Sequence, residues 1–137
     1  MMMMLLKIER NMTIDQVNHN LHTKFPYLKL VFFKQANNNE EDNSENRITA
    51  LYTPLIDIYP NLRNALINLN GNLQVRNLET KINEITGARV QVFRRSGNVW
   101  LETLTTDNKT LADLNKIASN TLNKIDLTEP TDYQEQD

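Results

Sequence analysis

One pattern constrains this chain more than any other: it matches itself at an offset of 61 residues. Leu6-Lys7-Ile8 corresponds to Ile67-Asn68-Leu69, Asn11-Met12-Thr13-Ile14 to Asn72-Leu73-Gln74-Val75, and Val17 and Leu21 to Leu78 and Ile82. With one residue removed near Pro26 the match resumes, Leu30-Val31-Phe32-Phe33-Lys34 against Val90-Gln91-Val92-Phe93-Arg94. In each copy an alternating run, a stripe at helical spacing and a second apolar run follow in that order, which reads as β-α-β. A helix with one apolar stripe needs a sheet face to cover, so two such units predict an α+β fold.

Local signals place the elements. Residues 5–9 alternate as a short strand. Thr13 is a good helix N-cap, with Gln16 at the capping-box position and Met12 poised to contact Val17. Ile14, Val17, Leu21 and Phe25 form the buried stripe until Pro26 stops the helix. Residues 28–34 carry apolar groups on both faces and read as an internal strand. The second unit has a strand within 64–70, a turn at Asn70-Gly71-Asn72, and a helix marked by Val75, Leu78, Ile82 and Ile85 and ended by Gly87. Strand 89–95, a tight turn at Ser96-Gly97-Asn98 and strand 99–104 make a hairpin, in which Val90 and Val92 share a face. Thr110 and Asp113 suggest a capping box for a third helix running to Ile125. For residues 48–62, divided by Pro54 and Pro60, a peripheral strand and a helical turn both remain open.

The expected architecture is a single domain over 5–125: a duplicated β-α-β, ferredoxin-like or related sandwich, extended by a hairpin strand and a C-terminal helix. The repeat units span about 5–34 and 66–95. Residues 35–46 read as a mobile acidic loop and 126–137 as a flexible acidic tail.

Composition narrows the chemistry. The 137 residues include no cysteine, which removes disulfides, thiolate catalysis and cysteine-based metal sites. No apolar run approaches a membrane span, so a soluble cytoplasmic protein is expected, with no membrane partner. The net charge of -2 hides a separation: residues 1–34 carry five basic and two acidic side chains and 47–125 carry ten and six, a body of +7. Against it, 35–46 hold four acids and 126–137 five, a total of -9.

The stretch Val90-Gln91-Val92-Phe93-Arg94-Arg95-Ser96-Gly97-Asn98-Val99-Trp100-Leu101-Glu102-Thr103, followed by Thr106-Asp107 and Thr110-Leu111, resembles a small uncharacterised protein family of Bacteroidetes-type bacteria. Phe25-Pro26-Tyr27-Leu28-Lys29 and Phe32-Phe33-Lys34 resemble the first unit of the same family. The resemblance spans most of 5–118 and implies a domain identity, with no activity or catalytic residues to carry over.

Catalytic constellations are missing from the sequence. His19 and His22, with Asp15 four residues before His19, have a spacing that could bring two imidazoles to a metal, but no HExxH pattern accompanies them. Glu79, Glu84 and Glu102 define no paired-carboxylate pocket, and neither GxGxxG nor a Walker motif occurs. No catalytic, cofactor-binding or metal residue is therefore assigned, and no cofactor is expected. The stronger pattern is basic: Lys34, Arg94 and Arg95, expected side by side if the repeats pair, with Lys29, Arg89 and the aromatics Phe33 and Phe93 on the same sheet. Trp100 is either a core residue or an interface anchor. The expected function is a non-enzymatic protein-interaction or regulatory module that uses this basic sheet margin, with a protein partner or a homodimer. Single-stranded nucleic-acid binding and a small-molecule enzyme with an unidentified pocket are the alternatives.

Overall fold

A computed structural model describes residues 5–34, 46–103, 108–121 and 134–136 of the chain. In chain order the elements are β1 (Leu5–Ile8), α1 (Ile14–His22), β2 (Leu28–Phe33), the single-turn helix α2 (Leu55–Ile58), β3 (Ala65–Asn68), α3 (Val75–Thr86), β4 (Arg89–Ser96), β5 (Val99–Glu102), α4 (Leu111–Thr121) and β6 (Gln134–Gln136). The fold is α+β, with two antiparallel sheets: β1 pairs β3, and a larger sheet runs β2-β4-β5-β6, so β2, expected to be internal, is an edge strand whose outer side is covered by Asn18 and residues 46–48.

The caps behave as their residues dictate. Thr13 accepts from the Gln16 amide while the Gln16 side chain accepts from the Thr13 amide, closing the capping box of α1. The Asp113 amide donates to the Thr110 hydroxyl at the start of α4. Gly87 ends α3 with φ 88°, a left-handed conformation in which a Cβ would be strained. In the β4-β5 turn Gly97 has φ 58° and Asn98 does not share the positive sign, the arrangement of a two-residue type II′ connection.

Strand pairing joins the two units through their matched positions. In the smaller sheet Leu6 faces Ile67, and in the larger one Val31 faces Gln91. Both pairs are counterparts in the sequence repeat. The correspondence extends past the strands. Thr13 bridges Pro54 as Gln74 bridges Thr110, and Phe33 bridges Arg47 as Phe93 pairs with Glu102. Leu55 and Ile56 donate to the Met12 and Arg10 carbonyls, as Leu111 and Ala112 donate to those of Leu73 and Gly71. Gly71 meets the Ala112 Cβ at 3.4 Å from where its own Cβ would stand, so a small residue suits this approach.

Segment 48–62 resolves into one turn of helix after Pro54, with Arg47 bridging the edge of β2. Proline supplies a backbone preset for a helix start and lacks the amide that a longer element would need. The loop expected at 35–46 lies outside the described residues except for Asn46, as do Leu104 and residues 122–125. Residues 134–136, within the expected tail, form β6.

One large apolar cluster joins the units: Leu6 and Ile8 of β1, Ile14, Val17 and Leu21 of α1, Leu28, Leu30 and Phe32 of β2, Val75, Leu78 and Ile82 of α3, Val90 and Val92 of β4, and Leu111 and Leu114 of α4. The helices therefore cover one face of the larger sheet. No helix among the described residues is long and apolar enough to cross a membrane.

Candidate interaction site

Because strand side chains alternate, the residues between those core positions point to the other face. Cross-strand register sets them in rows: Arg47, Phe33 and Arg89; Val31 and Gln91; Lys29, Phe93 and Glu102; Arg95 and Trp100. Val31, Phe33, Phe93 and Trp100 form a second apolar cluster to which only strands contribute.

These aromatic groups are buried under polar side chains. The Lys29 ammonium lies 4.8 Å from the Trp100 ring centroid and the Arg95 guanidinium 5.6 Å from it. His22, at the end of α1, stacks on Trp100 with centroids 6.3 Å apart and planes 7° from parallel. The Arg47 guanidinium lies 5.3 Å from the centre of Phe93. Each cation gains from the negative ring face while its aliphatic stem excludes water, so charge and apolar cover come from one residue.

A cleft of about 520 Å³ opens between α1, the outward face of β2 and residues 47–51, lined by His22, Lys29, Val31, Arg47, Arg95 and Trp100 among others. Two features hold it in shape. Asn18 of α1 donates to the Leu30 carbonyl at 2.9 Å and accepts from the Leu30 amide at 2.7 Å, so α1 is clamped to the edge of β2. Arg95 donates to the Gly97 carbonyl at 3.0 Å, tying its side chain to the hairpin turn beside Trp100.

Of the residues singled out from the sequence, Lys29, Arg95 and Trp100 come together here. Trp100 is 4% exposed and sits in the sheet's second cluster, beneath cations. Arg94 is only 4% exposed and shares the helix-covered side with Val90 and Val92, so it is no part of a basic margin. Lys34 is not beside Arg94 and Arg95. Antiparallel pairing sets Phe33 against Arg89 and Leu28 against Arg94, so Lys34 lies roughly 20 Å along the strands from them. It lines a separate concavity of about 490 Å³ with Arg47, Ile58 and Tyr59. Phe33 and Phe93, candidates for exposed stacking groups, are both 0% exposed.

His22 and Arg47 are the components that sequence reasoning did not bring to this site. For Arg47 a signal exists: Phe33 matches Phe93 in the repeat, so the partner of Phe33 holds the place that Glu102 holds beside Phe93. His19 is exposed on α1 while His22 turns to Trp100. Among the described residues no group of three or more His, Cys, Asp or Glu side chains could hold a metal ion. Comparison with protein-family models, curated proteins and solved structures finds no match.

Proposed function

We propose that this chain is a duplicated β-α-β scaffold, related to the ferredoxin-like sandwich, whose sheet face opposite the main helical layer serves as a non-enzymatic protein-interaction or regulatory module for an acidic partner. Support for duplication is the pairing of sequence-matched residues with each other at both Leu6·Ile67 and Val31·Gln91, as a pseudo-two-fold axis requires. Membership of the uncharacterised Bacteroidetes-type family and a cytoplasmic setting belong to the same proposal.

The observation that carries the functional reading is the grouping of Lys29, Arg95 and His22 on Trp100, with Arg47 on neighbouring Phe93. Carboxylates can pair with the Lys29 ammonium and the Arg95 guanidinium, and arginine can meet them with two parallel hydrogen bonds. Nucleic-acid bases, by contrast, bind sheets by stacking on accessible rings, and here the rings lie under the cations.

The test titrates wild-type protein and the Lys29→Gln/Arg95→Gln double variant with a glutamate-rich peptide and, separately, with a single-stranded oligonucleotide. The acidic peptide is expected to bind the wild type, and the double variant to lose at least about tenfold in affinity, roughly 1.4 kcal/mol. Equal binding to both proteins removes the site assignment. Tighter binding of the oligonucleotide, lost in the same variant and steeply weakened by salt, transfers the face to nucleic acid.

A further inference from the structure

The larger sheet has two outer edges, and they are closed in different ways. On β2, the Leu28 amide donates to the Phe25 carbonyl, Asn18 bonds both backbone groups of Leu30, the Ile48 amide donates to the Phe32 carbonyl, and the Lys34 amide donates to the Asn46 carbonyl. That edge is sealed by the body of the domain. On β5 the corresponding groups are met by β6, three residues long.

Which groups β5 presents follows from its turn. A two-residue hairpin loop makes Ser96 and Val99 a mutually hydrogen-bonded pair, and alternation then directs the backbone of Leu101 toward β4 and that of Trp100 and Glu102 outward. The other side of β4 agrees, since the Arg95 amide donates to the Tyr27 carbonyl, away from β5. Trp100 thus offers an outward N–H and C=O, and the residue opposite it in β6 is Glu135. Residues 126–137 contain five acidic side chains and no basic ones.

We propose that the outer edge of β5, one strand out from Arg95, is a strand-addition site for an extended acidic segment of a partner protein, and that residues 134–136 occupy it in cis. This rests on the acidic-partner reading above and names where and how that partner binds. Backbone pairing supplies affinity that is indifferent to side chains, and the Arg95 guanidinium over Trp100 favours acids. A short strand added from the same chain is a competitor that a longer acidic strand can displace, since each further residue adds to the ladder.

The test uses the full chain with Gln134→Pro and Glu135→Pro. Adjacent strand residues alternate in direction, so one of these two positions donates to β5 and its loss uncouples β6. Amide hydrogen exchange is followed at Trp100, with Gln91 in the β2-β4 ladder as the folding control. The ligands are a peptide of residues 126–137 and the same peptide with its acids replaced by amides. Release of β6 is expected to speed Trp100 exchange at least tenfold without changing Gln91. The acidic peptide should bind the variant at least tenfold more tightly than the wild type and restore Trp100 protection, and the neutral peptide should do neither. If the acidic peptide binds both proteins equally and Trp100 exchange is unaltered, the strand-addition site is wrong while the face remains a binder of acids. If it binds neither protein, both readings fall.

Discussion

The two faces of the larger sheet bury aromatic residues with equal completeness and by opposite means. Phe32 sits among Leu28, Leu30, Val90 and Val92 under helices that come from both units. Phe93 and Trp100 sit with Val31 and Phe33 in a cluster made by strands alone, with Lys29, Arg95, Arg47 and His22 laid across the rings. The first cover is apolar, and removing it would expose more hydrophobic surface than the chain could tolerate. The second is polar and only partly buried, so under the proposed function a partner would exchange contacts with it while the helix-covered core stays whole. Burial alone does not separate scaffold from site here; the chemistry of the covering group does.

The sharpest way to break this comparison is to cut into each layer. Phe32→Ala should destabilise by about 3–5 kcal/mol, the range for emptying an aromatic site in a well-packed core. Phe93→Ala should cost less, about 2–3 kcal/mol, and Trp100→Ala less again, because flexible Lys29, Arg47 and Arg95 side chains can settle into the space or return to water. Urea denaturation measures the order. A Trp100→Ala loss equal to that of Phe32→Ala would make the second cluster a core in its own right.

Much of this arrangement was legible in the sequence. The helical stripes and the caps at Thr13 and Gly87 are local patterns, and each is found where its residues place it. Period-two alternation, which sets Val90 and Val92 on one face, also carries Arg94 to that face; reading Arg94 as part of a basic margin overlooked a signal that was present. Lys34 is a different case. Its distance from Arg95 depends on antiparallel register between β2 and β4, a long-range property that spacing along the chain does not encode. Strand β6 had no signal at all, because Gln-Glu-Gln lacks both alternation and β-forming side chains, and it pairs through its backbone.

A medium-sized effect is expected where α1 crosses from one face to the other. Asn18 supplies both a donor and an acceptor to Leu30 at the β2 edge. Asn18→Ala leaves two backbone groups in a half-buried setting without those partners and should cost about 1–3 kcal/mol. Asn18→Asp keeps the acceptor for the Leu30 amide but sets a carboxylate oxygen against the Leu30 carbonyl, and should cost at least as much. Hydrogen exchange at the Leu30 amide distinguishes a local opening of this edge from loss of the whole fold. Should Leu30 stay protected in Asn18→Ala, the clamp is not what holds α1 beside the cleft.

The hairpin that carries Trp100 gives a smaller expectation. Gly97 has φ 58°, and a Cβ there would meet nothing within 4 Å, so the penalty of Gly97→Ala is backbone strain alone, about 1–2 kcal/mol. Gly97→Asn should recover part of it, since asparagine tolerates the left-handed region. If alanine and asparagine prove equal, the turn has another conformation, and the register that sets Arg95 opposite Trp100 has to be redrawn.

The smallest effect tests the cover itself. Lys29→Met keeps an unbranched stem across Trp100 and removes the ammonium that sits 4.8 Å from its centre. A surface cation-π contact contributes about 0.5–1 kcal/mol, so stability should fall by no more than that, and acid-peptide affinity should fall by more than stability does. That inequality is the point of the comparison. A scaffold residue loses folding energy first and binding only through it, whereas a residue held on the surface for a partner loses binding out of proportion. If Lys29→Met destabilised the fold by several kcal/mol with peptide affinity intact, the charged layer would be part of the core's construction and the distinction between the two faces would disappear.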